Sequence, residues 1–134
     1  MSTSFALQQA IYVALAANAD LKALIGDPPR LFDFVPRDAG FPYVVIGDAT
    51  ESDWSTATEA GSEHQLTIHV WSRGAGHKEA KAIAGLIRDA LDYAPLSLSG
   101  AELIDIRHLA TDFARQPDGQ TYRASLRFRA VTEP

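Results

Sequence analysis

His64-Gln65-Leu66-Thr67-Ile68-His69-Val70-Trp71-Ser72-Arg73, followed by Gly74-Ala75-Gly76 and a helical pattern that opens near His77, is the stretch that decides the fold. Leu66, Ile68 and Val70 alternate with Thr67, His69 and Trp71, so a strand sets the first three into a core and the second three on the opposite face. That opposite face is too amphipathic for solvent alone, and calls for cover by a neighbouring subunit or by the N-terminal segment. The glycines break the strand, after which Ala80, Ile83, Ala84, Ile87 and Leu91 mark one side of a helix running to Tyr93, with Pro95 just beyond.

Upstream, Leu7, Ile11 and Leu15 step by four while Ala10, Ala14 and Ala17 fill the adjoining face. Residues 4 to 25 therefore read as one helix stopped by Gly26 and Pro28-Pro29. Phe32 to Val35 is a short extended piece closed by Pro36, and Tyr43 to Asp48 is a strand. The polar segment from Ala49 to Gly61 reads as an unusually long connection to the next strand, a length more typical of functional or mobile loops. Downstream, Leu103 to Ala114 and Thr121 to Val131 form a hairpin turning at Gln116-Pro117-Asp118-Gly119. The expectation is one α+β domain spanning residues 1–134, a mainly antiparallel four-stranded sheet with two helices packed on one face, in the order α-β-β-α-β-β.

Composition removes several function classes. A chain of 134 residues with 46% hydrophobic and 22% charged residues is of ordinary globular character. No apolar run reaches the roughly 18 residues of a membrane span, and Met1 to Phe5 lacks the basic flank of a signal peptide, so synthesis and assembly in the cytoplasm is expected, without a membrane partner. The absence of cysteine excludes disulfides, thiolate nucleophiles and thiolate metal sites. A net charge of −5 argues against general nucleic-acid binding.

The charge is nevertheless polarised. Asp48, Glu51, Asp53, Glu59 and Glu63 lie in a stretch with no Lys or Arg, and five Arg between Arg107 and Arg129 face only Asp112 and Asp118. In the last strand Arg123, Ser125, Arg127 and Arg129 share one face, opposite Tyr122, Ala124, Leu126, Phe128 and Ala130. Two targets for the arginine stripe stand side by side: the acidic 48–63 segment of a neighbouring copy, and Asp105 or Asp112 across the hairpin. Trp54, alone among Ser, Thr, Asp and Glu, reads as cover for the core edge or for a partner.

Catalytic chemistry is hard to assemble. His64 and His69 differ by five on a strand and so face opposite ways, which is wrong for a shared metal. Asp105 with His108 as an acid/base pair, and Ser72 or Ser125 as nucleophiles, lack any surrounding motif. Gly74-Ala75-Gly76-His77-Lys78 lacks the spacing of a phosphate loop. Stacking of bases beside Arg127 and Arg129 is disfavoured, because Tyr122 and Phe128 have the opposite parity. No metal, cofactor or catalytic residue is expected.

The order of segments resembles a family of tail-terminator, or tail-completion, proteins of tailed phages and gene transfer agents, over nearly the whole chain. The resemblance rests on Leu7-Gln8-Gln9-Ala10-Ile11-Tyr12, Phe32-Asp33-Phe34-Val35-Pro36, Pro42-Tyr43-Val44-Val45-Ile46-Gly47, Leu66 to Arg73, the Ile83 to Leu91 helix, and Arg115 through Phe128. It implies a structural virion component at the head–tail junction: a homohexameric ring that caps the head-proximal end of the tail tube, ends tube polymerisation and enables head–tail joining. The implied partners are further copies of the chain, the major tail tube protein and the head–tail connector, with DNA only passing through the lumen. A head-closure or connector adaptor is the alternative of the same class, and a small enzyme with a pocket around Asp105, Arg107 and His108 is the remote one. Asp48, Glu51, Asp53, Trp54, Glu59, Glu63, His69, Trp71, Arg123, Arg127 and Arg129 are the expected contacts between subunits or with the tube.

Overall fold

The computed structural model describes residues 3–134. Five strands, β1 (Leu31–Phe32), β2 (Tyr43–Asp53), β3 (Ser62–Ser72), β4 (Glu102–Arg115) and β5 (Tyr122–Glu133), form one sheet in the order β1-β2-β3-β5-β4. Helices α1 (Thr3–Ala16), α2 (Ala19–Ile25) and α3 (Lys78–Leu91) supply the apolar layer that covers one face. The core lies between them. Leu66, Ile68 and Val70 of β3 are buried there with Ala124, Leu126 and Phe128 of β5, under Ile83, Ala84 and Ile87 of α3. Each fully buried aliphatic side chain contributes about 1.5–3 kcal/mol.

The α+β class and the alternation of β3 and β5 agree with the sequence, but the element count of four strands and two helices does not. The single helix expected over 4 to 25 is broken at Asn18, which takes an extended conformation (φ −79, ψ 112) and accepts a hydrogen bond from the Leu21 amide through Oδ1 at 2.9 Å. An Asn in this position satisfies one of the unpaired donors of a new helix. The bend lets Leu7, Ile11 and Leu15 of α1 and Leu21 and Ile25 of α2 all reach the core.

The sheet is mixed because Leu31 and Phe32 run parallel to Val44 and Val45. Only two residues pair, while Phe34 points into solvent, so no periodicity announced a strand. The expected long connection is also shorter. After an irregularity between Val45 and Asp48, β2 continues from Asp48↔Thr67 to Asp53↔Ser62, leaving residues 54–61 as the loop. This hairpin arm is exposed along β2 from Gly47 onward, so no apolar alternation betrays it.

Helix α3 closes where Asp92 Oδ1 accepts the His108 amide (2.9 Å) and the Tyr93 amide donates to the Ile106 carbonyl (2.7 Å), tying the helix end to β4. The turn between β4 and β5 is held by Asp118, whose Oδ1 accepts the Gln120 and Thr121 amides and whose Oδ2 accepts the Thr121 hydroxyl. Gly119 there has φ +75, a conformation that favours glycine. No helix among the described residues is long and apolar enough to cross a membrane.

Candidate assembly surface

The helices leave the other face of the sheet bare, and parity puts Asp48, Glu63, His69, Trp71, Arg123, Arg127 and Arg129 on it, whereas Glu51 and Asp53, paired with His64 and Ser62, share the helix-covered side and Trp54 and Glu59 lie in the loop beyond. Near the base of the arm, His69 Nε2 lies 3.3 Å from Asp48 Oδ2 while its Nδ1 lies 3.1 Å from Ser125 Oγ. Trp71 is half-buried between Tyr43 and Arg123 in the register. Arg123 forms an ion pair with Asp112 across the β4–β5 hairpin at 3.6 Å, while its buried Nε has no hydrogen-bond partner among the described residues. Asp105 is not used in this way: its buried Oδ1 has no hydrogen-bond partner among the described residues.

Along the arm the acidic and basic segments meet within one chain. Arg129 Nε donates to Glu63 Oε2 at 2.6 Å, and its guanidinium lies 4.7 Å from the centre of the Trp54 ring. A charge-assisted hydrogen bond contributes about 1.5–3 kcal/mol and a cation over an indole about 0.5–2 kcal/mol. Trp54 therefore has a structural task, although half of it stays exposed. Its loop is a built turn: the Trp54 amide donates to Gly61 O (2.9 Å), and the Thr56 amide donates to Glu59 O (2.7 Å). Asp53 accepts both the hydroxyl and the amide of Ser55, which hold its carboxyl below the ordinary range.

Glu63, Arg123 and Arg129 thus have an opposite charge within the chain, whereas Asp48 and Asp53 have hydrogen-bond partners in His69 and Ser55 but no Lys or Arg beside them. Glu51 and Glu59 remain exposed, with no side-chain hydrogen bond or ion pair to another described residue. Arg127 is exposed between Thr67 and Ala110 in the register and is likewise unpaired among the described residues. It lines an open groove with Asp48, Thr50, Gln65 and Leu109.

His64 is on the core side, fully buried, with Nε2 2.9 Å from Thr132 Oγ1 and Nδ1 without a partner. Burial pushes its pKa down from 6.5, against a smaller upward pull from the Glu51 carboxylate opposite. Below pH 6.5 the unfolded chain takes up a proton that the folded site resists, so the stability due to His64 is complete above that pH and declines as pH falls below it. Urea midpoints measured from pH 7.5 to 5 should fall more steeply for the wild type than for His64→Gln. Parallel slopes would remove His64 as the cause.

The family model described as tail completion protein gp17 matches residues 9–133. The chain belongs to the tail completion protein gp17 family. It is 27% identical over 126 residues to the tail completion protein gp17 of Bacillus phage SPP1, covering 94% of this chain and 91% of that protein. It also superposes with a TM-score of 0.90 on a chain from the virion of a native gene transfer agent particle, at 35% identity, over 99% of this chain and 98% of that one. As a member of the gp17 family it is a structural tail-completion component of the phage and gene-transfer-agent class.

In this gp17-family fold the other candidates are kept apart. His108 packs against Phe128 on the core side and contacts Thr111 Oγ1 at 2.6 Å, whereas the register turns Asp105 and Arg107 to the bare face. Ser72 donates to Glu79 Oε1 (2.6 Å), which fixes the start of α3. Ala75 (φ 58) and Gly76 (φ 115) serve the turn before that helix. Among the described residues no group of three or more His, Cys, Asp or Glu is placed to hold a metal ion.

Two surfaces lay outside the expected contacts. Tyr12 and Val13 of α1 are exposed, as are Ile104, Leu109 and Phe113 of β4. The signal for the first was available, since Thr3 to Ala16 contains no charged residue.

Proposed function

We propose that this chain closes as a six-membered ring on the head-proximal end of a tail tube, stops further tube addition and presents a docking surface to the head–tail connector. The observation that carries the reading is the full-length likeness to a gene-transfer-agent virion chain, joined to membership of a tail-completion family. The mechanism is geometric. A ring matching the tube covers the growing surface of the last tube subunits and offers a different one. Copies of the chain, the major tail tube protein and the connector are the partners, and DNA passes through the lumen without being read. Assembly takes place in the bacterial cytoplasm, and the finished ring sits at the head–tail junction.

Between copies, the charges left unpaired within one chain do the work. Arg127 of one copy faces the exposed arm of the next, where Glu51 and Glu59 are free. Asp48, Asp53, Trp54, Glu63, His69, Trp71, Arg123 and Arg129 shape that contact by holding the arm and the bare face in position.

Electron microscopy of particles from cells lacking the gene tests this directly, with tail length and head attachment scored in the same fields. Overlong tails detached from heads are expected. Tails of normal length without heads would replace termination with a connector-adaptor role, and unaffected particles would end both readings.

A further inference from the structure

We infer that neighbouring copies join head to tail by seating the Phe113–Lys81 corner of one copy in the groove between α1 and Asp33 of the next. The inference rests on the ring reading and adds to it a second contact, separate from the one between Arg127 and the arm.

The groove is open, about 360 Å³, and lined by Gln8, Tyr12, Val13, Ile46 and Asp33 among others. A helix at a water-exposed edge normally carries charge on its outer side. Here α1 has none, with Tyr12 41% and Val13 66% exposed. Asp33 is the only charged residue in the lining, and its carboxylate has no hydrogen bond or ion pair among the described residues.

The opposite edge of the sheet offers the complement. Phe113 on the edge strand β4 is 36% exposed, and the Lys81 ammonium lies 5.1 Å from the centre of its ring. An aromatic ring with a cation beside it matches an apolar groove with one carboxylate: the ring supplies buried area, and the Lys81–Asp33 pair fixes the register. The groove lies by β2 and the corner on β4, with β3 and β5 between them. No copy can fill its own groove, so every contact leaves one groove and one corner free. Repetition of such a heterologous contact closes a ring or extends a chain.

The test is a charge swap read in purified particles by immunoblot, with thermal melting as the folding control. Asp33→Lys and Lys81→Asp should each lower incorporation on the order of tenfold, because each places like charges across the contact. The double variant should restore it. A second reading uses the absence of native cysteine: Val13→Cys with Phe113→Cys, treated with a short bis-maleimide in particles, should give a ladder of covalent multimers. Single variants incorporated at the wild-type level, a double variant no better than the singles, or no ladder from incorporated protein would each overturn the contact while leaving the ring reading standing. Wild-type protein absent from particles would overturn the ring reading and this contact with it.

Discussion

Replacing Phe128 by alanine should lower the free energy of unfolding by about 3–5 kcal/mol, the range for removing a buried aromatic side chain. Phe128 is fully buried on β5, opposite Leu66 of β3 and His108 of β4, with its ring edge-on to the His108 imidazole at 5.5 Å. Both neighbouring strands are hydrogen-bonded to β5, so the backbone cannot move inward to fill the space. The loss has a transfer part and a cavity part, and the second depends on how little the site collapses. Against a typical domain stability of about 5–15 kcal/mol, this is enough to decide whether the protein accumulates in the cell. Urea unfolding should show a lower midpoint at unchanged slope, as expected when stability alone has changed. A loss under about 1 kcal/mol would mean that the sheet and α3 close over the gap, and that the ring does not anchor the core.

The core was legible because its elements bury one face and repeat it. The alternation of Leu66, Ile68 and Val70, and the α3 stripe from Ala80 to Leu91, each announce both an element and its inward side, and all eight residues are buried. Where burial gives no alternation, the sequence is silent about length. The arm from Thr50 to Asp53 is paired with β3 but exposed, so its strand character resides in backbone hydrogen bonds alone. The β1 pairing depends on a tertiary neighbour, and two residues carry no period. Asn18 is a different case: a capping residue followed by Asp20 was readable as a helix start, but the apolar spacing from Leu7 to Ile25 runs on past it.

The site divides along the same line. Parity alone placed Arg123, Arg127 and Arg129 on one face. Which of them is free depends on register between segments 66 residues apart, as in the Glu63–Arg129 bond, and no local pattern encodes that. The acidic and basic stretches suggested attraction between copies, yet part of that attraction is satisfied inside each chain.

Charge reversal at two arginines on one strand should consequently separate folding from assembly. Arg127→Glu should leave stability within about 0.5 kcal/mol of the wild type, because the side chain is exposed and unpaired among the described residues. Its incorporation into particles should nevertheless collapse, since the new carboxylate meets the acidic arm of the next copy. Arg129→Glu should act in the reverse order. It sets a carboxylate against Glu63, whose side chain is only 21% exposed, and takes the cation from the Trp54 ring, for a cost of about 2–3 kcal/mol in folding. Its assembly defect should follow from the loosened 54–61 loop and be relieved by a second change, Glu63→Arg, which restores opposite charges in the pair. Urea unfolding of both proteins and immunoblots of purified particles give the two readouts. Wild-type incorporation of Arg127→Glu would remove the bare-face arginine from the subunit contact, and an unaltered urea midpoint for Arg129→Glu would mean that the Glu63 pair contributes nothing to holding the arm.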